Sequence, residues 1–155
     1  IFASDFPNGY GSKDLWYATR KSKSEEFGLP KNLGPVINTT GDELFPFLRS
    51  DSVLYFASNG HIGMGLLDIF VSTYSNGTWG VPENLQYPIN SNADDYGIIF
   101  NKNEEEEGFF SITTAMEDFG NMQKKLEEIF QRTQRSRSRL TISLHSNQRR
   151  FSLKA

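Results

Sequence analysis

The chain has 155 residues, a net charge of −3, 14% aromatic residues and no cysteine, which excludes disulfides and any thiolate-bound metal. No run approaches the roughly 18–20 apolar residues that a membrane-spanning helix needs. Thirteen Phe, six Tyr, two Trp and 13 Gly favour aromatic strands joined by tight turns over packed helices.

In chain order, the segment Phe2-Ala3-Ser4, the glycine turn Gly9-Tyr10-Gly11 and Asp14-Leu15-Trp16 come first. They return 54 residues later as Phe56-Ala57-Ser58, Gly63-Met64-Gly65 and Asp68-Ile69-Phe70. Pro30-Lys31-Asn32-Leu33, Ile37-Asn38 and Asp42-Glu43 return 52 residues later as Pro82-Glu83-Asn84-Leu85, Ile89-Asn90 and Asp94-Asp95. A period of about 50 residues is the mark of propellers and related arrays, whose units bury their faces against one another.

One unit is complete, from about Asp42 to Asn90. Its expected strands are Glu43–Leu48, Val53–Ser58, Asp68–Tyr74 and one opening at Thr78-Trp79. Pro46 places the first at a sheet edge or bulge. Ser75-Asn76-Gly77 predicts a tight hairpin. Residues 1–33 supply the last three strands of an earlier unit. Tyr96–Phe100 and Gly108–Ser111 begin a later one. The expectation is an all-β, incomplete β-propeller of about two blades with four antiparallel strands each. A little over two blades cannot close a ring, and the chain reads as a piece of something longer.

Beyond Ser111 the pattern stops. Residues 1–122 carry 7 Lys/Arg against 17 Asp/Glu, whereas residues 123–155 carry 9 against 2. Within the atypical basic tail, 112–155, the spacing of Met122, Leu126, Ile129 and Phe130 predicts a short helix over 121–133. Residues 131–139 have the composition of a disordered segment, and Leu140, Ile142 and Leu144 alternate as a weak strand. Three readings fit this tail: a basic interaction tail, a helical cap, and the product of a shifted reading frame. None supports nucleic-acid binding.

Leu54–Gly60, Gly65–Ser72, Thr78–Leu85 and Pro88–Ser91 resemble the WD-repeat-like, TolB-like propeller repeats of bacterial envelope proteins of the OmpA family. The resemblance covers residues 1–111. It implies a periplasmic or outer-membrane-associated scaffold that contacts other envelope proteins. Peptidoglycan would be reached only through a domain absent from this chain.

The candidate sites are few. Asp14 and Asp68 open equivalent strands, where a carboxylate can accept N–H groups of the preceding glycine turn. The acidic pairs Asp42-Glu43 and Asp94-Asp95 are weak candidates for Ca²⁺, with solvated loop charge as the simpler reading. Trp16 and Trp79 are packing residues or sugar-stacking aromatics. His61 sits in a glycine turn without the nearby second His or Cys that a metal site needs, His145 lies in the atypical tail, and Glu104–Glu107 is a solvated loop. No catalytic motif or cofactor fingerprint is present. The nearest approach is the sialidase box at Ser72–Trp79, where Tyr74 replaces the required Asp and Gly77 falls one residue late. The expected function is therefore a non-catalytic protein-binding scaffold. The alternatives are a carbohydrate-binding propeller and a piece of a hydrolytic one.

Overall fold

A computed structural model describes residues 1–87 and 89–100, the backbone of 107–112, 139–145 and 148–154, and Lys124 and Glu128. The described strands all pair antiparallel and form three consecutive sheets, the first two also joined by an isolated parallel bridge between Lys13 and Asp42. The first sheet holds β1 (Phe2–Ser4), β2 (Asp14–Tyr17) and β3 (Lys31–Asn32). The second holds β4 (Glu43–Ser50), β5 (Val53–Ser58), β6 (Asp68–Ser75), β7 (Thr78–Trp79) and β8 (Glu83–Asn84). In the third, β9 (Asp95–Phe100) pairs with β10 (Glu107–Ile112), and β12 (Gln148–Lys154) lies between β10 and β11 (Arg139–His145). No helix among the described residues is long and apolar enough to cross a membrane.

The repeat is written into the pairing. Trp16 faces Asn32 across β2–β3 as Phe70 faces Asn84 across β6–β8. β3 therefore matches β8, the strand that leaves the unit, and the first unit has no strand in the place of β7. In the second unit β7 exists because Asn76 and Gly77 turn with φ of 52° and 84°, the left-handed pair that a two-residue hairpin requires. The register of β4 against β5 slips between Leu44 and Phe47, so Pro46 sits in a bulge, with Phe45 at φ 50°.

Burial follows from having a sheet on each side. Every residue of β5 is buried, as expected for a strand covered on both faces. Leu54 and Phe56 join Leu15, Ile37 and Phe70 in the core between the first two sheets. Tyr55 is on the alternate face, its ring 5.2 Å from Phe100 of the third sheet. Complete burial of such side chains contributes about 1.5–3 kcal/mol each.

The tail carries the strand expected of it and adds a second. Leu140, Ile142 and Leu144 lie in β11, and β12 pairs antiparallel with β10 from Glu107–Ser152 to Ser111–Gln148. Residues beyond the end of the repeat thus supply the strand beside β10, the place that β6 takes beside β5. Lys124 and Glu128 are helical and exposed. The rest of the expected helix, 121–133, lies outside the described residues, as do the expected disordered segment up to Ser138 and Glu104–Glu106. Glu107 begins β10, and His145 ends β11.

Candidate functional site

The chemistry-bearing residues of the repeat converge where one unit joins the next. Asp14 Oδ2 accepts the Tyr10 N–H at 2.7 Å, and its Oδ1 accepts that of Gly11 at 3.0 Å. Met64 and Gly65 donate to Asp68 Oδ2 at 2.7 and 3.1 Å. Both aspartates are buried, and each clamps the glycine turn ahead of its strand. Asn32 Nδ2 adds a third bond to Asp14 at 2.6 Å, whereas Asn84 Nδ2 faces Ile62 O at 3.5 Å.

The asparagines, given no role by the sequence, are the centre of the network. Asn38 accepts the Leu15 N–H at 2.8 Å and donates to Leu15 O at 3.0 Å. Asn90 treats Ile69 identically, at 2.7 and 2.8 Å. Each also donates at 2.7 Å to a second asparagine, Asn32 or Asn84, which accepts the N–H of the residue two further on. An amide carries both donor and acceptor, so one side chain satisfies both groups of an apolar strand residue. The recurrence of Ile37-Asn38 as Ile89-Asn90 was the available signal.

One backbone bond then ties each of the first two units to its successor in the same way. Glu43 donates to Lys13 O at 2.7 Å and Asp95 to Leu67 O at 2.8 Å.

This geometry divides the acidic pairs. The Glu43 carboxylate is fully buried and accepts from Thr39 N at 2.8 Å, Thr39 Oγ1 at 2.6 Å and Ser58 Oγ at 2.8 Å. Asp95 is also fully buried and accepts from Ser91 N at 2.5 Å, with Ser91 Oγ at 3.4 Å. Asp94 Oδ1 accepts the Leu67 N–H at 3.1 Å, and Asp42 is half-buried. Two of the four carboxylates are therefore turned into their own loops instead of lining a shared opening. Among the described residues no three His, Asp or Glu side chains gather as metal ligands.

The two inner carboxylates differ in one partner. Glu43 pairs across the ladder with Ser58, whose hydroxyl it uses, whereas Asp95 pairs with Ile112, a residue without one. Burial pushes the Asp95 carboxyl from 3.8 up to about 6, aided by the Asp68 and Asp94 charges and opposed by the Ser91 bonds. A folded state that holds this proton more tightly is favoured by acid. Its contribution is complete below about pH 4 and is lost as pH rises through about 6. Urea midpoints are expected to fall across that window, and Asp95→Asn is expected to flatten the fall. An unchanged slope in that variant would assign the titration elsewhere.

The candidate aromatics separate cleanly. Trp16 is 8% exposed, with the Phe6 ring edge-on at 5.5 Å, so its face is closed to a ligand. Trp79 packs one side on the core and tilts against Tyr74 at 5.1 Å. His61 has its Nε2 2.8 Å from Ile37 O and its ring against Phe70, a packing role with no second ligand beside it.

A feature absent from the sequence reading is the end of the sheets that carries the β5–β6 loop. Ile62 and Leu66 are 96% and 72% exposed there, and Met64, Tyr10 of the equivalent loop and Phe45 at the start of β4 are exposed as well. Comparison with protein-family models, curated proteins and solved structures finds no match for this chain in any of the three.

Proposed function

We propose that the three sheets are an arc of a TolB-like β-propeller and that the arc is a non-catalytic scaffold for protein–protein contact in the bacterial envelope. The fold part rests on repetition. Each unit hands on to the next through the same backbone bond, and β4 and β9 each pack against the preceding sheet. Radial repetition of this kind is how propellers leave only short strand edges.

The functional part rests on one observation, the exposed apolar loop end formed by Ile62, Met64 and Leu66 with Tyr10 and Phe45. Single exposed apolar residues are ordinary. A set gathered at one end of a rigid framework is the form of a protein-contact surface. Polar replacements there would leave the buried network intact.

The test is capture of envelope proteins by the full chain, quantified against Ile62→Lys/Leu66→Lys. The double variant should retain its circular dichroism melt and lose the captured partners. Retention of every partner by a folded double variant would remove this surface from the interaction.

A further inference from the structure

A second surface lies where the first two sheets meet, beside the β4–β5 turn and the β6–β7 hairpin. It is a groove of about 560 Å³, within the size range of small-molecule sites, lined by Tyr17, Thr19, Asp51, Tyr74, Thr78 and Trp79 among others. We propose that it binds a neutral oligosaccharide, with two pyranose rings lying along the Tyr74–Trp79 wall.

Four observations carry this assignment. Trp79 is half-buried with one side against the core, and Tyr74 is 41% exposed beside it, giving ring surface for the C–H faces of sugars. Thr19, Thr78 and Asp51 line the groove beside that surface, and residues with hydroxyl and carboxylate groups next to aromatic rings are the pairing that a polyhydroxylated ligand requires. Asp51 is the one charged side chain among the lining residues, and residues 1–122 hold 17 acidic against 7 basic side chains, which disfavours an anionic ligand.

The wall is also preorganised. Tyr74 donates to Ser52 O at 2.7 Å, Gly80 to Thr73 O at 2.9 Å, and Ser72 Oγ to Gly80 O at 2.7 Å, fixing the hairpin on which Trp79 rides. Gly28 ties to Thr19 O at 2.9 Å on the opposite side. Little ordering remains for a ligand to impose.

The geometry disfavours the other occupants. The outer strands β3 and β7 are two residues long, too short to template an added peptide strand. A compact ammonium ion would leave most of the groove to water. The site is separate from the apolar loop end and does not depend on the scaffold reading.

The two tryptophans allow a direct test on the full chain by ¹H–¹⁵N NMR. Their two indole signals are assigned with Trp79→Phe, and the chain is then titrated with cellobiose, chitobiose, maltose and tetramethylammonium chloride. At least one disaccharide should shift the Trp79 signal saturably with a dissociation constant of about millimolar order, leaving Trp16 unmoved. Tyr74→Ala and the exposed-site variant Asp51→Ala should each weaken that binding about tenfold, equivalent to about 1.4 kcal/mol. Ile62→Lys/Leu66→Lys should leave it unchanged. The assignment is overturned by no saturable shift with any of the three sugars, by a response to tetramethylammonium alone, or by affinity that is unaltered in folded Asp51→Ala and Tyr74→Ala.

Discussion

Replacing Gly65 by alanine is expected to destabilise the chain by on the order of 3 kcal/mol, the range of overpacking against an unyielding neighbour. A Cβ at Gly65 would collide with the carbonyl oxygens of Ala93 and Ser91, and these are backbone atoms of the segment leading into β9. No side chain can swing aside to make room. Either Gly65 moves, breaking its bond to Asp68, or the 91–93 segment moves and strains the Asp95 N–H to Leu67 O bond at 2.8 Å. Gly11 stands in the same place one unit earlier, against Gly41 O and Thr39 O. Gly11→Ala should therefore carry a similar cost. Gly28 is the control, because its Cβ would meet Thr19 O at an ordinary 3.5 Å. Gly28→Ala is expected to change stability by less than about 1 kcal/mol. Urea unfolding of the three variants checks the ranking, and a Gly65→Ala chain as stable as Gly28→Ala would contradict the close junction.

What was legible in the sequence is what repeats and acts locally. The Gly-x-Gly turns and the aspartates after them recur at one offset, and a carboxylate three or four residues beyond a glycine turn can reach only a few N–H groups. The Asn76-Gly77 hairpin is likewise decided by two φ angles. Trp16 was legible in part, since it aligns with Phe70, whereas Trp79 has no partner in the first unit. The asparagine network was not legible, because a turn asparagine and a buried one look alike until the strand they satisfy is known. Asn38 bonds Leu15 across 23 residues and Asn90 bonds Ile69 across 21. The groove is more remote still, as its walls come from different sheets and only packing brings Thr19 near Trp79. The difference between the two inner carboxylates depends on whether a serine stands across the ladder, as Ser58 does for Glu43. The β11–β12 hairpin lies beyond the repeat altogether, so no period could announce that it joins β10.

Asn90→Ala is expected to cost on the order of 3 kcal/mol, a large fraction of the roughly 5–15 kcal/mol that holds a typical domain folded. Asn90 is fully buried and makes bonds to Ile69 N, Ile69 O and Asn84 Oδ1. The loss falls unequally on those three. Ile69 O keeps the Leu85 N–H at 3.0 Å, and Asn84 Oδ1 keeps that of Gln86 at 2.6 Å. Ile69 N–H loses its side-chain acceptor inside the core, and an orphaned buried donor costs about 1–3 kcal/mol. The cavity left by the amide adds to this. Asn90→Asp separates the two roles. It retains an acceptor for Ile69 N–H, but it turns a carboxylate towards two carbonyl oxygens that the amide had served as donor. Its stability should therefore recover on acidification by more than the unaltered chain gains through Asp95, because a protonated carboxyl can donate again, while Asn90→Ala should gain only the Asp95 increment. Asn38→Ala should match Asn90→Ala, because Asn38 performs the same task at Leu15. Urea titrations at neutral and acidic pH measure all of these. A cost below about 1 kcal/mol for both alanine variants would show that apolar packing and backbone bonds hold each unit together, with the amides as passengers.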